Sequence, residues 1–179
     1  MKRIYDLFSN SSKELKNVLC LVTVGLLLAV KLALGLLLNI QITQFLRLSF
    51  DFLVMTIIGL LYGPTVGALS GGLSDIINYL SNPRGPYFPG FTLSAIVGGI
   101  LYGLILYKKK VTIKRCIVAN VSVVIIVDII LNTIFLTMMY GYSITAILPL
   151  RIAKNLLLVP INVVMMNFIL KLVEKIKLK

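Results

Sequence analysis

The chain has 179 residues, of which 59% are hydrophobic, with a mean hydropathy of +1.00, a formal net charge of +12 and no histidine. Soluble domains average about 45–50% apolar, so this composition excludes a water-soluble globule and describes one domain held almost wholly in a bilayer. The missing histidine removes the usual proton shuttle and the commonest metal ligand, and Cys20 and Cys116 have no second ligand near them in sequence, so neither a metal nor a redox cofactor is expected.

About 20 apolar helical residues cross a membrane core. On that measure residues 1–16 form a cytoplasmic N-terminal segment. Six spans follow, near Asn17–Leu38, Leu46–Leu61, Thr65–Leu80, Thr92–Tyr107, Cys116–Met139 and Ile147–Leu170. The fold class is therefore an all-α integral membrane bundle of six transmembrane helices, a single domain over 1–179. The first apolar run lacks a small-residue cleavage pattern and reads as a retained helix, not a signal peptide. Helices 2 and 3 are short and meet at Gly63-Pro64, where proline suits the first turn of the next helix.

Thirteen basic residues flank these spans in three groups: Lys2 to Lys16, Lys108 to Arg115, and Lys171 to Lys179. An even number of spans puts the three groups on one side, and the positive-inside rule makes that side, with both termini, cytoplasmic. The charge therefore reports topology and contact with anionic lipid, and no nucleic-acid partner is expected.

Small residues recur every fourth position on three helices: Gly25, Ala29 and Ala33; Gly63, Gly67 and Gly71; and Ala95, Gly99 and Gly103. Such ridges let backbones approach closely in lipid. For helices 3 and 4 internal packing is expected. For helix 1 the ridge fits either internal packing or the docking of another membrane protein.

Between helices 3 and 4, residues 82–92 carry three prolines, two glycines, Tyr87, Phe88, Phe91 and Arg84, a stiff aromatic and cationic turn. Ionisable residues inside spans cost about 2.5–3.5 kcal/mol each at a helix centre, and here they are Lys31, Asp51, Asp75, Asp128, Arg151 and Lys154. Pairs such as Lys31 with Asp51 or Asp75 with Arg151 would neutralise some of them. Adding Arg47 and Arg84 leaves the outer half with a positive balance beneath the aromatic turn. Asn78, Tyr79, Asn132, Thr133, Tyr140, Tyr142 and Asn155 share that level. The set describes an outward-facing cavity for an anionic, planar heteroaromatic molecule, its carboxylates held by arginine and lysine and its ring stacked on aromatic faces.

Tyr62-Gly63-Pro64, Gly71-Gly72-Leu73-Ser74-Asp75 and the run from Pro83 through Gly-Pro-Tyr-Phe-Pro-Gly-Phe-Thr to Ala95 resemble the S components of energy-coupling factor (ECF) vitamin transporters, most of all their folate-specific branch. Arg47-Leu48-Ser49-Phe50 and Pro149-Leu150-Arg151-Ile152-Ala153-Lys154-Asn155 resemble that branch's entries to helices 2 and 6. The resemblance covers essentially the whole chain. It implies a substrate-binding subunit in the plasma membrane that captures folate or a reduced folate under a cap made by the loops between helices 1 and 2 and between helices 3 and 4. It also implies a separate transmembrane coupling protein of the EcfT type and two ATP-binding subunits that supply energy, in keeping with the absence of a phosphate-binding loop. Ala29 and Ala33 match the family's ridge for the coupling protein, with Gly25 extending it; Lys31, about 160° round the helix, can then face the cavity. The expected ligand-binding residues are Arg47, Asp75, Asn78, Arg84, Tyr87, Phe88, Phe91, Thr92, Asn132, Arg151, Lys154 and Asn155. Within that set Arg151 and Lys154 would take carboxylates or a polar ring edge, Tyr87, Phe88 and Phe91 would form the lid, and Asp75 or Asn132 would pair with the pterin.

An S component for another heteroaromatic vitamin or a queuosine precursor is the alternative within the class. An enzyme would need activated groups that the spans lack, since Glu14 and Glu174 lie outside them. A stand-alone ion-coupled carrier would have to use Asp128.

Overall fold

A computed structural model describes residues 2–37, 40–41, 47–48, 50–83, 85–141 and 143–177. Helix α1 (Lys2–Glu14) precedes α2 (Val18–Leu37), and a two-residue antiparallel pair, β1 (Ile40–Gln41) with β2 (Arg47–Leu48), leads to α3 (Phe52–Ser81). Then come α4 (Pro89–Leu106), and a continuous rod made of α5 (Ile113–Val123), a π-helical segment (Val124–Leu131) and α6 (Asn132–Tyr140). The long α7 (Ile144–Lys177) closes the chain. Five of these stretches are long and apolar enough to cross a membrane: Val18–Leu36, Phe52–Ser81, Pro89–Leu106, Ile113–Tyr140 and Ile147–Ile176.

The expected second and third helices are the two limbs of α3, which doubles back at Gly63. That residue has φ +85°, in the region where a side chain is strained, and Pro64 opens the second limb with a position that needs no N–H. The reversal is visible in the neighbours. A Cβ on Gly59 would lie 3.0 Å from the Gly103 nitrogen, and one on Gly63 would lie 2.9 Å from the Tyr107 ring. Beyond the turn, Pro64 returns to Gly103 and Gly67 reaches Gly99. The first limb starts at Phe52, not at the expected Leu46, because Arg47–Leu48 is spent in the β pair. Eleven residues (52–62) rise about 16 Å, half a bilayer core, so this limb is shorter than a full crossing.

The second limb and α4 then run antiparallel with backbones in contact. Gly67 faces the carbonyl of Gly99, Gly71 that of Ala95, and Gly103 the backbone of Gly63 and Pro64, each with no room for a Cβ. The expectation of internal packing for these two ridges is met. Close approach of this kind replaces the hydrophobic drive that lipid cannot supply.

The N-terminal segment is a helix with a specific seat. Ser11, fully buried, donates from Oγ to the Tyr62 carbonyl at 2.6 Å and accepts from the Thr65 and Val66 N–H groups at 3.0 and 3.2 Å. Gly63 has no side chain with which to cap the second limb, so a serine from another helix does so. Thr65 Oγ1 donates to the Phe8 carbonyl at 3.0 Å, and the Tyr107 hydroxyl to Glu14 Oε1 at 3.4 Å. Burial first, and then the Glu14 carboxylate, push the Tyr107 hydroxyl up to about 12, so it remains a donor at any physiological pH.

Beneath these contacts lies the apolar core, where Leu53, Ile58, Val66, Leu106, Cys116, Met166 and Leu170 pack together with Cys20. By contrast Gly25, Ala29 and Ala33 lie on the exposed face of α2 with Val22, Leu26 and Leu36, and a Cβ on Gly25 would meet nothing within 4 Å. The helix 1 ridge is therefore not used for packing within the chain.

Gly99→Val is expected to destabilise the fold by at least about 3 kcal/mol, because it drives a branched side chain into the Gly67 backbone. Gly25→Val should stay within about 0.5 kcal/mol of the parent. Thermal unfolding of both variants in detergent checks the contrast; equal losses would contradict this packing.

Candidate functional site

The register that joins the second limb of α3 to α4 continues past the glycines and changes character. One turn beyond Gly71 and Ala95, Thr92 Oγ1 donates to Asp75 Oδ2 at 2.8 Å; one turn further, the Tyr79 and Tyr87 rings stand 5.1 Å apart. The Tyr87 hydroxyl lies 2.7 Å from Thr92 Oγ1. Since the threonine spends its only proton on the carboxylate, the tyrosine must be the donor, giving a chain Tyr87→Thr92→Asp75. This chain ties the aromatic turn to the end of α3.

Beside it, Phe88, Phe91 and Phe135 form a triangle with ring centroids 5.7–6.4 Å apart, in tilted and edge-on arrangements that suit aromatic quadrupoles. Gly90 makes the triangle possible: a Cβ there would lie 2.7 Å from the Phe135 ring. Gly85, with φ +109°, turns the chain against the Tyr140 hydroxyl.

Under this cap is a cavity of about 880 Å³, within the range for small-molecule sites. Along α4 it is lined by Phe91, Ser94, Ala95, Gly98, Gly99 and Tyr102, one helix face about 16 Å long. Lys31 contributes from α2; Phe50, Asp51, Phe52 and Met55 come from the start of α3, and Asp75, Asn78, Tyr79 and Asn82 from its end. Asn120, Val127, Asp128, Asn132 and Tyr140 come from the α5–α6 rod, and Arg151, Lys154, Asn155, Leu158 and Asn162 from α7.

The π-helical segment shapes the middle of this wall. The Asn132 N–H bonds back five residues to the Val127 carbonyl, a widened turn of the sort found at functional positions. The Asp128 carbonyl accepts Arg151 Nη1 at 2.6 Å, while Asn132 Nδ2 reaches Asp128 Oδ1 at 3.3 Å. The expected pairing of Asp75 with Arg151 does not form: Asp75 is engaged by Thr92, and Arg151 by this backbone oxygen. Lys31 faces the cavity as expected and donates to Ser74 Oγ at 2.6 Å.

Four buried polar atoms in the lining have no hydrogen-bond partner: Ser94 Oγ, Asn120 Oδ1, Asn132 Oδ1 and Arg151 Nε. A buried group left unpaired costs about 1–3 kcal/mol.

Of the expected site residues, Asp75, Asn78, Tyr87, Phe88, Phe91, Asn132, Arg151, Lys154 and Asn155 come together around this one cavity. Thr92 stands behind Asp75 and positions it. The side chain of Arg47 and the whole of Arg84 and Tyr142 lie outside the described residues. Sequence reasoning missed Phe50, Ser94, Tyr102, Asn120 and Asn162. The one available signal was spacing: Asn120, Asp128 and Asn132 fall at multiples of four on one rod, and Arg151, Asn155 and Asn162 follow at intervals of four and seven on α7.

Comparison with known proteins gives a consistent picture. A family model described as ECF transporter, substrate-specific component, matches residues 20–170. A protein named Folate transporter FolT from Clostridium novyi (strain NT) is 30% identical over 164 residues, covering 92% of this chain and 95% of its own. One of the same name from Leuconostoc mesenteroides is 35% identical over 134 residues, 72% of each chain. Among solved structures, a crystal structure of FolT bound with folic acid aligns with a TM-score of 0.78 at 32% identity, covering 83% of this chain and 90% of that one.

Thr92→Val should sever the Tyr87→Thr92→Asp75 chain and cost about 1–2 kcal/mol. Limited proteolysis should then cut the 82–88 segment faster than in the parent; an unchanged cleavage rate would show that the chain does not hold the cap.

Proposed function

The chain belongs to the substrate-specific components of ECF transporters, and we propose that it captures folate or a reduced folate in this cavity for uptake into the cell. It is a multi-pass membrane subunit of a transporter and not an enzyme. The observation that carries the substrate reading is the composition of the cavity wall: three cations, Lys31, Arg151 and Lys154, with amide and carboxylate side chains, beneath an aromatic cap. The relatives' name and the folic-acid complex of a protein with the same fold support it.

Folic acid joins a neutral 2-amino-4-oxo-pteridine to a glutamate dianion through a flat p-aminobenzoyl bridge. A dianion in the bilayer plane needs buried positive charge, and Arg151 and Lys154 offer it in the cavity wall. Phe88 and Phe91 stack over the flat portion, while Tyr87 seats the cap through Thr92. Asp75, Asn78, Asn132 and Asn155 complete the polar lining. Release needs the cap to part, which costs the triangle of phenylalanines and the Tyr87→Thr92→Asp75 chain together.

Energy comes from partners. The exposed Gly25, Ala29 and Ala33 ridge is a smooth helical face with space for a second helix at backbone distance, and it serves as the docking surface for a transmembrane coupling protein that carries two ATP-binding subunits. The thirteen flanking basic residues orient the chain with both termini in the cytoplasm and the aromatic cap outside.

Isothermal titration of the purified protein with folic acid should give saturable binding at micromolar concentrations or below. No heat at micromolar ligand refutes the substrate reading, and tighter binding of a heterocycle without glutamate redirects it to another vitamin. Arg151→Ala should weaken binding by roughly 10- to 100-fold, as expected for loss of a charge-assisted hydrogen bond. In cells, Ala29→Trp with Ala33→Trp should abolish uptake and leave binding intact; loss of binding would make the ridge structural.

A further inference from the structure

Among the described lining residues, the cavity wall carries its ionisable side chains in two groups. Lys31, Asp51 and Asp75 come from α2 and α3, and together they also line a small side pocket with Ser74 and Asn78. Asp128, Arg151 and Lys154 form the second group, where the π-helical segment meets α7. When all are ionised, the first group has a surplus of one negative charge and the second a surplus of one positive charge. The second group is therefore the seat for an anionic glutamate, but a single surplus charge does not match a ligand that carries two.

The way Asp128 is held keeps its own charge in the wall. Arg151 Nη1 donates to the Asp128 backbone carbonyl at 2.6 Å, while Asn132 Nδ2 donates to the carboxylate at Oδ1 over 3.3 Å, a long contact. The charged groups that act on this carboxylate are Lys154 and Arg151 from α7 and Asp51 from the start of α3. Tyr102 is the titratable side chain that α4 brings to it, and Asn132 is the polar neighbour on its own rod. A ligand carboxylate drawn to Arg151 and Lys154 thus arrives beside an aspartate that competes for the same two cations. Two carboxylates confined in one site with too little positive charge between them hold a proton in common.

Resting on the folate reading above, we propose that Asp128 makes capture proton-linked: the folate dianion takes up one proton from solution as it binds, shared between Asp128 and a carboxylate of the ligand's glutamate. With that proton, the two cations face a ligand–aspartate pair of matching charge; without it they face one negative charge too many. No covalent bond beyond the O–H changes, and water or buffer supplies the proton. The bound pair then holds a proton that free Asp128 and free folate have both given up, so affinity is greatest at low pH and falls as pH rises, by up to about tenfold per unit. A medium more acidic than the cytoplasm favours capture outside and release inside.

The test is calorimetric titration of the purified parent, Asp128→Asn and Asp128→Glu with folic acid and with folic acid diamide, whose glutamate carboxyls are both amides. Each titration is run in two buffers of different ionisation enthalpy, between about pH 5.5 and 7.5, where both carboxyls of free folic acid are ionised. The dependence of the observed heat on the buffer counts the protons taken up. For the parent with folic acid, the inference expects roughly 0.5–1 proton per ligand near pH 7 and a Kd that rises at least about fivefold across the range. The diamide should bring no proton. Asp128→Asn should take up less than about 0.2 proton, lose the pH dependence and bind folic acid more tightly than the parent at the upper pH. Asp128→Glu keeps a carboxylate and should keep the uptake, which separates the charge from the packing. Absence of saturable folic acid binding to the parent at every pH refutes the folate reading itself. Saturable binding without proton uptake overturns the inference alone, as does undiminished uptake in Asp128→Asn or equal uptake with the diamide. Should the asparagine variant fail to fold, the parent's contrast between folic acid and the diamide decides.

Discussion

One antiparallel register between the second limb of α3 and α4 organises the protein. It begins where Pro64 meets Gly103, passes Gly67 with Gly99 and Gly71 with Ala95, and ends with Asp75 bound to Thr92 and Tyr79 against Tyr87. Its inner part is nearly all backbone, which fixes the two helices without any adjustable side chain between them. Its outer part consists of functional groups. Because the rows are continuous, the precision of the glycine contacts is passed directly to Asp75 and to the aromatic cap. The cap is thereby held by two helices whose backbones are in direct contact, although it sits on a turn.

The facing wall works differently. The α5–α6 rod and α7 expose many apolar side chains to lipid, and the polar residues they turn inward would be costly if left alone. The π-helical turn lessens this cost, because it presents the Asp128 carbonyl to Arg151 and lets a cation be held by a backbone dipole. Arg151 keeps one edge for other use. An aspartate side chain paired with it fork to fork would have satisfied the guanidinium and closed the site to an anionic ligand.

Much of this was legible in the residues. Hydropathy and the lysine pattern marked the spans, and Gly63-Pro64 marked the reversal between two short helices. The four-residue glycine spacing on helices 3 and 4 identified their contact before any coordinates. Nine of the twelve expected site residues line the cavity, because proline, aromatic and ionisable residues are conspicuous in an apolar chain. Asn120 and Ser94 escaped notice for the opposite reason: a single small polar residue among valines and leucines does not disturb a hydropathy window. The π-helical segment was invisible, since Val124–Leu131 reads as ordinary apolar helix and only backbone geometry distinguishes the two. The β pair that shortens the first limb of α3 depends on partners that are close only after folding. The pairing of Asp75 with Arg151 failed because a neighbouring threonine and a backbone carbonyl were nearer, and neither is a charge.

The cap that Ser11 supplies to the second limb of α3 bears on how the chain is made. Residues 2–14 are made before the residues that seat them, a pair of N–H groups and a carbonyl about fifty residues downstream, at a turn that exists only after the intervening helices have formed. Synthesis order and assembly order are thus reversed for α1. Its seat forms only after that turn has formed, and its docking covers this end of the bundle. The Ser11 cap can therefore form only on a chain whose α3 has already reversed at Gly63.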